Sequence, residues 1–259
     1  MRFRRHAHLV QPLDGSLLPC HRVVAAQVHP STRNKGFGMT QITLLDGGMG
    51  QELIRRAGKA TPLWSTQALL DKPGLVADVH KDYAEAGSTV ATTNSYALHR
   101  DRLRGGTSNH YASDGVQLAN IEDQLEPLCK AALKEAATVR DRSRVAGSIG
   151  PLAASYRPDL HPDIDTAVPL YAEVAQYLAP GCDILLFETI ASLEAARACL
   201  AAGRQTDRPV WLAFTVDDED GSKLRSGEPL AEAAVIAADA DAALANCYCA
   251  RGDACGAGR

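Results

Sequence analysis

From Met39 onward, apolar runs of strand length alternate with longer stretches whose apolar residues recur at helical spacing. The runs at 42–46, 89–93, 144–149, 183–188, 210–216 and 243–247 read as strands. A stretch such as Ile184-Leu185-Leu186-Phe187 lacks the in–out alternation of a half-exposed sheet, so burial on both faces is expected, as in parallel sheets. Between these runs, Leu75, Val79 and Tyr83 fall at i, i+4 and i+8 behind Pro73-Gly74, which predicts a helix. Helical patterns also cover 116–139, 167–178, 193–202 and 229–238, with Ser192 placed to cap the third of these.

Strand followed by helix, repeated, implies a parallel sheet with crossover helices. An open doubly wound sheet and a closed barrel both satisfy that order. The polar residues favour the barrel. Asp46-Gly47-Gly48, Thr93-Asn94-Ser95, Ser148, Glu188-Thr189, Thr215 and Asn246-Cys247 all sit at C-terminal strand ends, which converge on one mouth in a barrel. A doubly wound sheet would use one or two such ends, and neither a G-x-G-x-x-G turn nor a Walker-type loop is present. The expected fold class is therefore α/β, of the (β/α)8 TIM-barrel type. About six βα units are visible, which predicts a barrel shortened by two units and left with open strand edges.

Residues 1–38 show neither period and read as an N-terminal extension without order, followed by a partial barrel at 39–247 and a tail at 248–259. Composition changes little in this picture. Hydrophobic residues at 46% and charged residues at 22% are ordinary for a globular enzyme. A net charge of -4 gives no general attraction to nucleic acid or anionic membrane. No apolar run is long enough to cross a bilayer, and the Arg-rich start lacks a signal-peptide core. Seven cysteines without the spacing of a small disulfide scaffold suggest a reducing cytoplasm.

The candidate chemistry lies at the strand ends. Asp46 stands beside a glycine-rich turn that would let a ligand approach the backbone; a tight strand-to-helix turn explains it equally well. Glu188 ends a very apolar strand and needs a partner, either a ligand ammonium or a neighbouring cation. Cys247 ends the last strand in a thiol.

Seven segments, in order, resemble the homocysteine S-methyltransferase family, in particular its short bacterial members. They are Leu45-Asp46-Gly47-Gly48-Met49-Gly50, Thr93-Asn94-Ser95-Tyr96, Gly147-Ser148-Ile149-Gly150-Pro151, Phe187-Glu188-Thr189-Ile190, Trp211-Leu212-Ala213-Phe214-Thr215, Gly227-Glu228-Pro229-Leu230 and Asn246-Cys247. The resemblance implies a zinc ion held by three cysteine thiolates, with homocysteine sulfur as the fourth ligand. It also implies methyl transfer to that sulfur from a sulfonium such as S-methylmethionine, giving methionine. It places Asp46, Gly47, Gly48, Asn94, Tyr96 and Glu188 at the substrate and Cys247 on the zinc. The other two zinc ligands belong to a paired-cysteine segment that has no counterpart here. After Cys247 the tail, with Cys249 and Cys255, has no apolar period and reads as a departure from the family's reading frame. Small-molecule partners are expected, and the oligomeric state is left open.

Two alternatives to the enzyme follow. One is a shortened barrel that binds an amino acid weakly without transferring anything. The other is DNA alkyl repair, because Pro19-Cys20-His21-Arg22-Val23-Val24 resembles the nucleophile motif of the O6-alkylguanine DNA alkyltransferases. Only 18 residues precede that motif, too few for the domain that carries it in that family.

Overall fold

A computed structural model describes residues 23–26, 43–58, 65–103 and 120–247. In chain order its elements are β1 (Val23–Ala26), α1 (Met49–Ala57), α2 (Thr66–Asp71), α3 (Leu75–Glu85), β2 (Val90–Thr92), α4 (Arg100–Leu103), α5 (Leu125–Ala136), β3 (Arg144–Ile149), α6 (Ile164–Leu178), β4 (Ile184–Ile190), α7 (Leu193–Gly203), β5 (Val210–Val216), α8 (Leu230–Ala237) and β6 (Ala242–Cys247). The sheet runs β1-β6-β5-β4-β3-β2, with β2 to β6 parallel.

The two faces of the sheet differ in what covers them. Side chains alternate across a strand, and here one alternate set meets helices while the other meets strands. Val145, Leu185, Phe187, Val210, Leu212 and Phe214 join the helical residues in the larger core. Val90, Ala146, Ile184, Leu186, Trp211, Ala213 and Ala242 form a second cluster that contains strand residues alone, with Leu45 packed on it. Helices on one side and a strand-lined interior on the other are the arrangement of a barrel wall; a doubly wound sheet has helices on both sides. The fold is thus of the TIM-barrel type expected from the strand ends.

The expected strand at 42–46 is reduced to a bridge, Leu45 pairing parallel with Val90. The backbone nevertheless follows the ladder, since Asp46 N–H donates to Val90 O at 3.0 Å and Thr89 N–H donates to Leu44 O at 2.8 Å. Leu44 is half exposed, so its side chain gains little from pairing, which is why the strand is weak. The helix expected over 116–139 begins later. A single 3-10 turn at 121–124 leads into α5, and 116–119 lie outside the described residues. Ser192 does cap α7, its Oγ accepting from Ala195 N–H at 3.2 Å.

Within the expected N-terminal extension, β1 pairs antiparallel with β6, Val23 opposite Asn246 and Ala26 opposite Ala243. It occupies the edge of β6, where an unpaired row of N–H and C=O groups would otherwise face solvent. Residues 1–22, including Cys20, and the tail at 248–259 lie outside the described residues. Among the described residues no helix is long and apolar enough to cross a membrane.

Candidate active site at the C-terminal strand ends

The inward rows of the strands turn polar at one end. Thr92 continues the row of Val90, Ser148 that of Ala146, Glu188 that of Ile184 and Leu186, and Thr215 that of Trp211 and Ala213. Four adjacent strands therefore present a hydroxyl or carboxyl group to the same mouth.

Glu188 is aimed there by a local irregularity. Between Phe187 and Ile190 strand β4 carries one more residue than its partner β5, a β-bulge. Thr189 sits in the bulge at φ 60°, a left-handed conformation that is costly for a β-branched residue. Ala153 (φ 56°) and Tyr156 (φ 64°) share that region of backbone space in the loop after β3. Three strained non-glycine residues at one mouth mark the place where the fold gives up stability for geometry. Phe187, on the opposite side of β4, holds the strand in the core against the Tyr171 ring, 5.8 Å between centroids and edge to face.

Burial pushes the Glu188 carboxyl up to about 7; the Ser148 hydroxyl, which donates to it, opposes the rise, and the negative charge of Asp46 adds to it. Two carboxylates in electrostatic contact, one half-ionised at neutral pH, make a site that a cation would complete. Ser148→Ala removes the opposing hydrogen bond, so the Glu188 midpoint should move above about 7. A carboxyl titration followed by NMR reads it, and an unmoved midpoint contradicts the assignment.

Asp46 is held from the strand side. Thr92 donates to it twice, from its N–H and its Oγ, both at 2.7 Å. Its side chain is 1% exposed, and His80 Nδ1 on α3 lies 3.7 Å from Oδ2. Gly47, expected to open the turn to a ligand, has a nearer reason to be glycine: a Cβ there would come within 2.8 Å of the Tyr83 ring. Gly48 has room, with Gln51 the nearest contact at 3.9 Å, and its carbonyl accepts from the Tyr83 hydroxyl at 3.4 Å.

The second strand end is stitched to the third. Thr93 Oγ and Ser95 Oγ lie 2.6 Å apart, Ser95 donates to Ser148 O at 2.6 Å, and Ser148 N–H donates to Thr93 Oγ at 3.0 Å. Asn94 is buried and donates to Ser65 O at 2.8 Å, so its amide fixes the segment before α2. The Tyr96 hydroxyl lies 2.7 Å from Ser155 Oγ and donates to Thr189 Oγ at 3.1 Å, tying the loop after β3 to the bulge. Arg102 of α4 closes this wall, donating to Ser155 Oγ at 2.9 Å with its guanidinium 5.3 Å from the Tyr96 ring centroid.

The structure thus gathers Asp46, Gly47, Gly48, Asn94, Tyr96 and Glu188 at one mouth. Sequence reasoning placed Ser148 and Thr189 at the strand ends without giving them a role, and did not single out Thr92 or His80. Thr92 was visible as a strand-end hydroxyl; His80 carried no signal, being one polar residue on an apolar helix face. The Cys247 backbone ends β6 at this mouth, but its side chain is outside what is described.

The described residues form no zinc site. Among the described residues no three His, Cys, Asp or Glu side chains come together as a metal-holding group. Cys129, Cys182 and Cys199 are buried, and burial pushes their thiols up, Cys129 to about 12. A thiol so disfavoured as thiolate is an inert core group.

A parallel barrel wall with carboxylates at its C-terminal mouth is the architecture of the TIM-barrel class, which places its sites at that end. The family model described as homocysteine S-methyltransferase matches residues 43–252, and this chain belongs to that family. Homocysteine S-methyltransferase of Escherichia coli K12 is 30% identical over 214 residues, covering 76% of this chain and 65% of that protein. Homocysteine S-methyltransferase 1 of Brassica oleracea var. italica is also 30% identical, over 73% of this chain and 62% of its own length. The crystal structure of the homocysteine methyltransferase MmuM from Escherichia coli, metallated form, superposes with a TM-score of 0.63 at 27% identity, covering 77% of this chain and 71% of that one. The chain thus spans just under two thirds of the length of these curated relatives.

Proposed function

We propose that this chain carries the amino-acid-binding side of a homocysteine S-methyltransferase. Glu188 receives the α-ammonium of homocysteine, and the bound sulfur accepts a methyl group from a sulfonium donor such as S-methylmethionine. The observation that carries this reading is the Glu188 carboxyl at a strained strand end, bonded by the Ser148 hydroxyl and without a cation partner among the described residues. An ammonium placed there lowers the cost of ionising Glu188, which is the condition for a charge-assisted bond to form in a partly dry site. The Tyr96–Ser155–Thr189 wall shapes the pocket beside it.

The reaction asks little acid–base work of the protein. A sulfonium leaves as a neutral thioether, so no leaving group needs protonation, and the gain comes from holding sulfur and methyl in line. The acceptor sulfur attacks as its thiolate, its proton passing to solvent; a zinc ion, for which the described residues form no site, would favour that form. The relatives' names agree on homocysteine as substrate, and one relative at 29% identity is named a selenocysteine Se-methyltransferase, so the acceptor class extends to selenols.

The test is methionine formation from L-homocysteine and S-methylmethionine, with zinc supplied. Methionine above the protein-free rate is expected, falling in Glu188→Gln. Homocysteine binding without any methionine would remove the transfer half of the proposal and leave the binding half.

A further inference from the structure

His80 is the one residue of the α3 face that packing does not explain. It is fully buried on a helix turn otherwise made of Val76, Ala77 and Val79, and both its ring nitrogens lack a hydrogen-bond partner among the described residues. Buried imidazole nitrogens are normally paired, because water has been taken from them without replacement. The nearest charge is Asp46, with Nδ1 3.7 Å from Oδ2. That is beyond hydrogen-bond range by less than 1 Å, a gap that ordinary side-chain movement closes.

We propose that His80 is a positioning residue: its Nδ1–H bonds the Asp46 carboxylate from behind the mouth, holding it as the anion that Glu188 and a bound ammonium sense. This rests on the reading of Glu188 as the ammonium ligand. The geometry divides the work. Thr92 grips Asp46 from the strand, and His80 supplies the remaining donor from the helix layer, so the carboxylate is fixed between the two layers of the fold. A buried carboxylate keeps its charge only when donors surround it. With the Thr92 bonds alone the carboxylate would be held from one side only, and its orientation toward the mouth would be looser.

Several other ionisable groups around α3 have partners of their own. On α1, Glu52 binds Arg55 and Arg56, and Arg56 also binds Asp82. On α2, Asp71 accepts from Gln67. On α5, Glu135 accepts from the Gly74 and Ala77 N–H groups. On α3 itself, Asp78 pairs with Lys81, and Tyr83 donates to Gly48 O. Among the described residues Asp46 is the charged group within ion-pair range of His80.

The test compares L-homocysteine with 4-mercaptobutanoate, which lacks the ammonium, by titration calorimetry between pH 6 and 8. His80→Leu, which cannot donate, should bind homocysteine about tenfold more weakly and 4-mercaptobutanoate as before. His80→Asn, whose amide nitrogen falls near the Nδ1 position, should restore homocysteine affinity to within about threefold. A purely structural role would weaken both ligands together. In the unaltered protein, 15N shifts should show His80 Nδ1 protonated and hydrogen-bonded, a readout that holds if the leucine variant fails to fold. Unchanged homocysteine affinity in His80→Leu, or an Nδ1 without its proton, overturns the proposal while the functional reading stands. If the unaltered chain does not bind homocysteine at all, both fall together.

Discussion

Glu188→Gln is expected to weaken homocysteine binding by roughly 30- to 100-fold at pH 8 and to abolish its dependence on pH. Removing one member of a buried charge pair costs about 2–5 kcal/mol, and the lower end applies because Glu188 is half-buried and glutamine still offers an oxygen. The pH argument follows from the carboxyl lying at about 7, raised by burial and by Asp46. At pH 6 most Glu188 is protonated and cannot pair with an ammonium; at pH 8 most is ionised. Affinity in the unaltered chain should therefore rise about tenfold from pH 6 to pH 8, with proton release on binding below pH 7. The glutamine variant should be flat across that range.

The same shift predicts an opposite effect on stability. A carboxyl whose folded-state value lies above its unfolded one favours folding below the unfolded value, and that contribution is lost as pH rises through about 7. At pH 8 the unaltered protein therefore holds a poorly solvated charge that glutamine lacks. Glu188→Gln should be the more stable protein at pH 8, by on the order of 2 kcal/mol, and the difference should vanish near pH 4.5. Thermal melts at the two pH values check it; a variant less stable at pH 8 would contradict it. Binding lost while stability is gained is what a functional site, and no structural ion pair, would show.

Gly150→Ala is expected to be the most damaging small substitution at the mouth. A Cβ at this position would run into the Tyr96 carbonyl oxygen, which is backbone, and into the Tyr96 ring at 2.8 Å. Neither can move without breaking the joint between the second and third strand ends. Gly150 N–H donates to Tyr96 O at 3.1 Å, and Gly150 O lies 2.8 Å from His99 Nε2. Overpacking of this kind costs about 2–3 kcal/mol. Displacing Tyr96 also breaks its contacts to Ser155 and Thr189, so homocysteine affinity should fall as well. Denaturant unfolding should show a lower midpoint at an unchanged slope. Gly221→Ala, where an added methyl meets nothing within 4 Å, is the control and should stay within about 0.5 kcal/mol. Equal effects of the two substitutions would contradict the packing account.

What was legible in the sequence follows the strength of the physical signal. Strands at 144–149 and 210–216 appear with those bounds, because runs buried on both faces are apolar at most positions, Arg144 marking the exposed start of the first. The barrel was legible from strand-end polar residues, since a closed mouth recruits every strand. The strand at 42–46 shrank to a bridge because exposed Leu44 earns little from pairing. Helices α2 and α4 went unseen, being six and four residues long and too short to show a period. Glu188 was legible by position, yet its Ser148 partner and the Thr189 bulge were not, because an extra residue in a strand leaves the pattern unchanged. His80 and Asp46 lie 34 positions apart in sequence, and only the packing of α3 behind the first βα turn brings them together.

The most direct measurement is calorimetric titration of the unaltered chain at pH 8 with L-homocysteine and with 4-mercaptobutanoate. Saturable one-to-one binding of homocysteine, at least tenfold tighter than that of the compound without an ammonium, is the predicted result. Equal binding of the two, or none of either, would contradict the assignment of Glu188 as the ammonium ligand.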